Sequence, residues 1–140
     1  MMMLHAIALY ATGILLGAML FFSFALTPMV FIKLEAAVAA TFVRALFPLY
    51  YLIIIVLGAA AALTLAVAER PIPASLMALT AAFAVMTRQL LIPRLDALRP
   101  LKEANDETAT RQFKALHRFS VIVNVAQMIA VAAVLSIFVL

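Results

Sequence analysis

Hydrophobic positions fall in four long runs along the chain, and clusters of charged residues separate them. The runs cover approximately residues 4–32, 46–68, 72–93 and 115–139. About 20 apolar residues in a helix cross a bilayer, in which the backbone must satisfy its own hydrogen bonds. No run alternates apolar and polar positions as a barrel strand does. The pattern therefore predicts an all-α integral membrane protein, a four-helix bundle that forms a single domain over residues 1–140.

The connections between the runs carry signals of their own. Apolar residues recur about once per helical turn between the first two runs, at Leu34, Val38, Phe42 and Leu46. This spacing predicts a short amphipathic helix at the membrane interface, between spans one and two. Prolines indicate bends at the same membrane face, at Pro28, Pro48 and Pro93. Before the fourth run, Asn105, Asp106 and Glu107 predict a capped helix start.

Composition narrows the class of protein further. Hydrophobic residues make up 69% of the chain and charged residues 11%, which excludes a soluble globular enzyme and a disordered chain. Cysteine is absent, so neither a disulfide framework nor a thiolate metal site can form. We expect the net charge of +4 to meet a lipid bilayer rather than nucleic acid.

The basic residues are distributed unevenly between the connections. One of the ten, Arg70, lies between spans two and three, and the other nine lie in or beside the two long connections: Lys33, Arg44, Arg88, Arg94, Arg99, Lys102, Arg111, Lys114 and Arg118. Positive charge is retained on the cytoplasmic side of a membrane. We therefore expect both long connections to be cytoplasmic and both termini to be outside, in a bacterial-type inner or plasma membrane.

Small residues in the spans indicate close helix packing. Gly13 and Gly17 form a GxxxG pair in span one, and span two offers small residues from Gly58 to Ala62. Such pairs let two helices approach closely. We expect the two surfaces to pack within the chain; a homodimer through the same pair is the alternative.

The clearest candidate for a site is a polar stripe in span four. His117, Ser120, Asn124 and Gln127 recur at steps of three, four and three residues, which places them on one helical face. One interpretation is a polar pocket open to the cytoplasm, in which Arg88 supplies a fixed positive charge and His117 a titratable group. The other interpretation is interhelical hydrogen bonding, with Arg88 and His117 reaching the headgroups.

Motifs for catalysis are missing from the sequence. No carboxylate lies inside a span, and neither a glycine-rich phosphate loop nor an HExxH motif occurs. His5 begins span one at the opposite end from His117, so the two cannot share one haem or metal. We predict no cofactor from the residues; a haem or copper site at His5 alone is the alternative.

Residues in all four spans together resemble the transmembrane-protein-205-like family of small four-span membrane proteins. The shared features are Leu4 and His5, the segment Leu46, Phe47, Pro48, Leu49 and Tyr50, a basic residue before Pro93, and Phe113, His117, Ser120 and Asn124. The resemblance implies a membrane protein that handles or exports small molecules or metals. It favours a real site at the start of span four.

Two other functional classes stay open. Span one is also similar to four-span protoporphyrinogen oxidases and copper-resistance D membrane domains, which share its initial histidine, a glycine and a late proline. That similarity implies haem or copper at His5. Alternatively, the segment 34–47 and the basic connections dock the chain onto a larger membrane complex as an accessory subunit.

Overall fold

The computed structural model describes all 140 residues. It consists of four long helices joined by tight turns and contains no strand. We label the helices α1 (Met2–Lys33), α2 (Ala36–Val67), α3 (Pro71–Glu103) and α4 (Glu107–Ile137). Each is long and apolar enough to cross a membrane. The prediction of an all-α four-helix membrane bundle is confirmed.

The helices follow one another around the bundle in chain order. Each packs against the next, and α4 returns to pack against α1. The core is narrow, since 29 of the 140 residues are buried; its fully enclosed side chains include Leu15, Met19, Ile54, Met77 and Val131. Large apolar side chains cover the outside, among them Ile32, Leu63 and Ile129. A surface so apolar is suited to lipid and not to water, so the chain is an integral membrane protein.

Two short turns at opposite ends of the bundle stop α2 and α3 in the same way. Glu69 and Asn105 each adopt a positive φ, of 57° and 63°. The amide following each one bonds back five residues, to the carbonyl of Leu65 or Leu101. This arrangement is the Schellman helix stop. Asp106 then accepts a hydrogen bond from the Ala109 amide at 3.0 Å, which confirms the predicted capped start of α4.

The predicted interfacial helix between spans one and two is wrong. The chain turns at residues 34–35, and α2 then runs without interruption from Ala36 through Pro48. The predicted apolar face is not the buried one: Leu34, Val38 and Phe42 are exposed, whereas Ala39 and Val43 on the neighbouring face are buried in a small cluster with Val30 of α1. Because α1 packs against Ala39 and Val43, the segment continues into α2 as its first turns.

Helix α3 likewise passes the end predicted for span three. It continues beyond Pro93 and through Pro100 to Glu103. A helix of 33 residues is about 50 Å long, whereas the hydrocarbon core is about 30 Å thick. The helices therefore project beyond the hydrocarbon. We call the end where α1 and α3 finish and α2 and α4 begin the basic end, since nine of the ten basic residues belong to it.

Two of the three predicted bends coincide with widened helical turns. Residues Phe21–Leu26 precede Pro28, and Thr87–Leu91 precede Pro93; both segments are π-helical. A proline ring meets the carbonyl four residues earlier, and it donates no hydrogen bond. A π turn inserts one residue and so relieves that contact while the helix continues.

Close helix packing occurs at a different glycine from the predicted pair. A Cβ atom at Gly58 would lie 3.3 Å from the Ala81 Cβ atom of α3. A Cβ atom at Gly17 would meet nothing within 4 Å, and one at Gly13 would meet only Leu135, at 4.0 Å. The expected packing of this pair against residues 58–62 is therefore wrong. Helix α1 buries the neighbouring face, at Ala8, Ala11, Thr12, Leu15 and Met19.

This difference predicts opposite results for two matched substitutions. Gly58→Leu must push α2 away from α3, and overpacking of this kind costs about 1–3 kcal/mol. Gly17→Leu extends into open space and should change stability by no more than about 0.5 kcal/mol. Unfolding of both variants in the same mild detergent checks this, and an equal loss in both would contradict the packing.

Candidate functional site

The polar stripe of α4 becomes steadily more buried along the helix. His117 is exposed, Ser120 and Asn124 are half-buried, and Gln127 retains 4% of its exposure. The face therefore starts at the surface of the basic end and turns into the bundle. The structure brings three of the four residues, His117, Ser120 and Asn124, to one cavity.

Asn124 connects three helices through its amide. The Tyr50 hydroxyl of α2 donates to Asn124 Oδ1 at 2.6 Å, and Asn124 Nδ2 donates to Ser23 Oγ of α1 at 3.0 Å. Ser23 lies in the π turn before Pro28, so the widened turn carries the serine that Asn124 contacts. The amide oxygen and nitrogen of Asn124 are therefore both paired inside the protein.

Two other positions of the stripe, Ser120 and Gln127, bond to backbone carbonyls. Gln127 Nε2 donates to the Thr80 carbonyl of α3 at 2.8 Å, and Ser120 Oγ donates to the His117 carbonyl of its own helix. Gln127 Oε1 is buried without a protein partner. Gln127 thus forms the interhelical hydrogen bond expected of a packing residue.

Arg88 shares no cavity with His117. It belongs to the π turn before Pro93, and its Nε donates to the Pro48 carbonyl of α2 at 3.1 Å. It lines neither of the two cavities that include His117. Its positive charge is used to connect α3 to the proline turn of α2.

A cavity of about 410 Å³ opens at the basic end, and we call it the basic cavity. Its charged and titratable lining consists of Arg44, Arg99, Lys102, Lys114 and His117, with no Asp or Glu. The rest is mainly apolar, with Thr27, Phe31, Ala40, Val43, Phe47 and Phe113. Helices α1, α2, α3 and α4 all contribute to this lining.

The arginines of the basic cavity are incompletely neutralised. The Nε atoms of Arg44 and Arg99 are buried and make no hydrogen bond within the protein. Arg99 Nη2 forms one ion pair, with Asp96 Oδ1 at 3.6 Å, and Arg44 forms none. Arg99 lies about 42 Å along α3 from Pro71, a distance greater than the hydrocarbon thickness of about 30 Å. Burial lowers the pKa of Arg99, and the positive charge of Arg44 lowers it further.

The ring of Phe113 attracts two of the basic side chains. Lys102 Nζ lies 4.4 Å from the centre of the Phe113 ring, and the Arg99 guanidinium carbon lies 5.5 Å from it. The same ring is nearly parallel to His117, with centroids 6.5 Å apart. Cations within about 6 Å of a ring face are attracted to it. Phe113 therefore organises one wall of the basic cavity.

A second cavity of about 270 Å³ lies deeper, between α1 and α4, and we call it the seam cavity. Thr27, Phe47 and His117 line both cavities, so the two adjoin. The seam cavity contains no Lys, Arg, Asp or Glu; its lining comprises Phe22, Ser23, Phe24, Thr27, Phe47, Tyr50, Tyr51, His117, Ser120, Val121, Asn124, Val125 and Met128.

Stacked aromatic rings form the wall of the seam cavity on the α2 side. Phe22 of α1 stacks on Tyr50 with centroids 4.1 Å apart, and Phe47 lies 5.8 Å from Phe22. Tyr50 thus packs through its ring and bonds Asn124 through its hydroxyl. Phe47 and Tyr50, two of the residues that carry the family resemblance, meet the polar stripe here.

Several lining residues were not among the sequence-based candidates. Arg44, Arg99, Lys102 and Lys114 figured only in the charge count, and Ser23 and Thr27 were not singled out. Arg44 and Arg99 are 55 positions apart in the chain, and no spacing rule links them. An excess of basic residues beside two connections was the one signal available.

His5 lies at the opposite end of the bundle. Its Nδ1 lies 3.1 Å from the Met1 carbonyl oxygen, and its ring meets Phe138 edge to face. No group of three His, Cys, Asp or Glu side chains in the protein is placed to hold a metal ion. The haem or copper alternative at His5 stays a prediction.

The Tyr50–Asn124 bond predicts different effects for two adjacent hydroxyls. Tyr50→Phe leaves Asn124 Oδ1 without its donor, and interhelical hydrogen bonds in membranes contribute about 0.6–2 kcal/mol. Tyr51→Phe removes a hydroxyl with no hydrogen bond in the protein and serves as the control. A double-mutant cycle of Tyr50→Phe with Asn124→Ala measures the coupling. A coupling energy near zero would contradict the bond.

Comparison with known proteins gives one finding. The sequence model of a family described as a domain of unknown function (DUF4149) matches residues 10–104, more than half of the chain. The match covers most of α1 and all of α2 and α3. No curated protein and no solved structure matches the chain. The chain therefore belongs to the family defined by the domain of unknown function DUF4149.

Proposed function

We propose that this membrane protein binds a small anionic molecule in the basic cavity and handles it at the membrane surface. One observation carries the proposal: two arginines and two lysines, Arg44, Arg99, Lys102 and Lys114, surround a cavity whose lining contains no carboxylate. Like charges held together raise the free energy of the folded chain. An anion between them lowers it, and the ligand therefore carries negative charge.

The type of basic residue favours a phosphate or carboxylate group. A guanidinium presents donors in a planar fork that matches these two groups. Arg44 and Arg99 each have a buried Nε atom that donates to no protein acceptor. Both can add a hydrogen bond to a ligand without giving one up.

The family resemblance supports the small-molecule part of this proposal. The transmembrane-protein-205-like family shares Phe47, Phe113, His117, Ser120 and Asn124, and these five residues line one or both cavities. Metal handling is less well supported, because the four positive side chains repel a metal cation. The more specific part of the proposal is that the protein transports the bound anion.

We place the basic cavity on the cytoplasmic side of an inner or plasma membrane. Nine of the ten basic residues lie at the basic end, and positive charge stays on the cytoplasmic side during insertion. A second copy of the chain has an open surface for contact at Gly17, where a Cβ atom would meet nothing within 4 Å. A homodimer or a larger membrane complex stays a prediction.

Single cysteines test the orientation, because the chain contains no cysteine of its own. Thr108→Cys places a thiol at the exposed start of α4, and Val139→Cys places one near the exposed C-terminus. A membrane-impermeant maleimide applied to intact cells should label Val139→Cys alone. Thr108→Cys should react only after permeabilisation. The reverse pattern would place the basic cavity outside.

Anion binding is tested by thermal stability in mild detergent at constant ionic strength. Glycerol 3-phosphate should stabilise the wild type, since a ligand that binds only the folded state raises its stability. Arg44→Gln and Arg99→Gln each remove a charge-assisted contact of about 1.5–3 kcal/mol, which weakens apparent affinity by roughly ten- to a hundredfold.

Arg111→Gln provides the matched control for these variants. It removes one positive charge from the basic end, but Arg111 is exposed and does not line the basic cavity. It should retain most of the stabilisation by glycerol 3-phosphate. An equal loss in Arg111→Gln would mean that general surface charge attracts the anion, and the proposed site would be wrong.

A further inference from the structure

We infer that the anion is the phosphate headgroup of a membrane lipid, with an acyl chain of the same lipid in the seam cavity. This inference rests on the proposed function, because it assigns a class of ligand to the basic cavity. The basic cavity holds the headgroup, the seam cavity holds the first part of one chain, and the lipid enters sideways between α1 and α4.

The combined length of the two cavities matches one lipid. Along α4 the linings extend from Phe113 to Met128, fifteen residues or about 23 Å. Half of a hydrocarbon core is about 15 Å thick, and the headgroup layer adds about 5–7 Å on each side. A small soluble anion would occupy only the basic end of this length.

The chemistry of the lining changes along that length as a lipid requires. Arg44, Arg99, Lys102 and Lys114 surround the basic cavity, whereas the seam cavity contains no Lys, Arg, Asp or Glu. The amide of Asn124 is already bonded to Tyr50 and Ser23. Because Asn124, Tyr50 and Ser23 are paired with one another, an apolar chain can lie against these three side chains without leaving them unsatisfied.

A free hydroxyl lies where the two cavities adjoin. Thr27 lines both, and its Oγ1 is buried without a hydrogen-bond partner in the protein. Five other threonines, Thr41, Thr64, Thr80, Thr87 and Thr110, bond to the carbonyl four residues earlier, and the other buried threonine hydroxyl without a partner, on Thr12, lines neither cavity. The ester oxygens of a glycerolipid lie between headgroup and chain, and Thr27 can donate to one of them.

The seam cavity also faces the surrounding bilayer. Phe24, Val121 and Val125 contribute to its lining and are exposed on the outside of the bundle. An acyl chain can therefore pass between α1 and α4 without crossing water. The exposed side chains at this edge are apolar. When an acyl chain enters, one bound lipid therefore takes the place of bulk lipid against these side chains.

Native mass spectrometry of the detergent-purified protein tests the inference. Phosphatidylglycerol and phosphatidylcholine with identical chains are added in equal amounts, and glycerol 3-phosphate is measured separately by thermal stability. We expect phosphatidylglycerol to be retained in preference to phosphatidylcholine. Arg44→Gln should lose both phosphatidylglycerol and glycerol 3-phosphate.

Val121→Trp separates the lipid from a free phosphate. The indole fills the edge of the seam cavity and should weaken phosphatidylglycerol binding about tenfold, the equivalent of losing roughly two buried methylenes. Glycerol 3-phosphate should still stabilise this variant, which also shows that it is folded. Ile122→Trp is the matched control, because Ile122 is exposed on the same turn and does not line the seam cavity.

Thr27→Val supplies a second variant of nearly unchanged volume. Loss of its hydroxyl should weaken phosphatidylglycerol binding severalfold. Equal retention of the two lipids, or unchanged phosphatidylglycerol binding in both Val121→Trp and Thr27→Val, would overturn the lipid assignment and leave the anion site standing. Absence of binding by both phosphatidylglycerol and glycerol 3-phosphate would overturn the inference and the proposed function together.

Discussion

Lipid hydrocarbon offers no hydrogen-bond partner, so a polar group inside the bundle must be paired by the protein itself. Much of this structure follows from that requirement. Asn124 is paired from both sides, by Tyr50 and Ser23, and the Gln127 amide reaches a backbone carbonyl of α3. Arg88 donates to the carbonyl of Pro48. Each of these bonds joins different helices, so satisfying the polar groups also determines which helix faces meet.

The same requirement explains why prolines interrupt the regular helical hydrogen bonding without ending the helices. A proline leaves the carbonyl four residues earlier without its donor, and within a membrane the helix continues so that the remaining backbone bonds are kept. The π turns before Pro28 and Pro93 keep the chain helical, and they shift which residues lie on each face of the helix that follows. Ser23 and Arg88 lie in these turns, each five residues before its proline. Their contacts with Asn124 and Pro48 thus depend on irregular turns that are themselves a consequence of the sequence.

Sequence alone could predict the four helices, because long apolar runs have few other stable forms in a bilayer. It could not predict that residues 34–47 form no separate helix and lead directly into α2, since that depends on whether Val30 of α1 packs against Ala39 and Val43. Glycine spacing favoured Gly13 and Gly17, whereas the close contact forms at Gly58, opposite Ala81. Helical periodicity did identify the face of Asn124. It gave no information on its partners Ser23 and Tyr50, which come from two other helices.

The polar atoms without partners show a pattern opposite to that of the paired ones. Five buried side-chain atoms make no hydrogen bond within the protein, and three of them, on Thr27, Arg44 and Arg99, belong to residues that line the basic cavity. The other two are on Thr12 and Gln127, whereas Asn124 is bonded to both Tyr50 and Ser23. A buried donor left unpaired costs about 1–3 kcal/mol. Three such groups at one cavity, two of them on arginines, concentrate this cost where an anion with oxygen acceptors can remove it. The distribution of unmet hydrogen bonds therefore singles out the basic cavity as the place where a ligand stabilises the fold most.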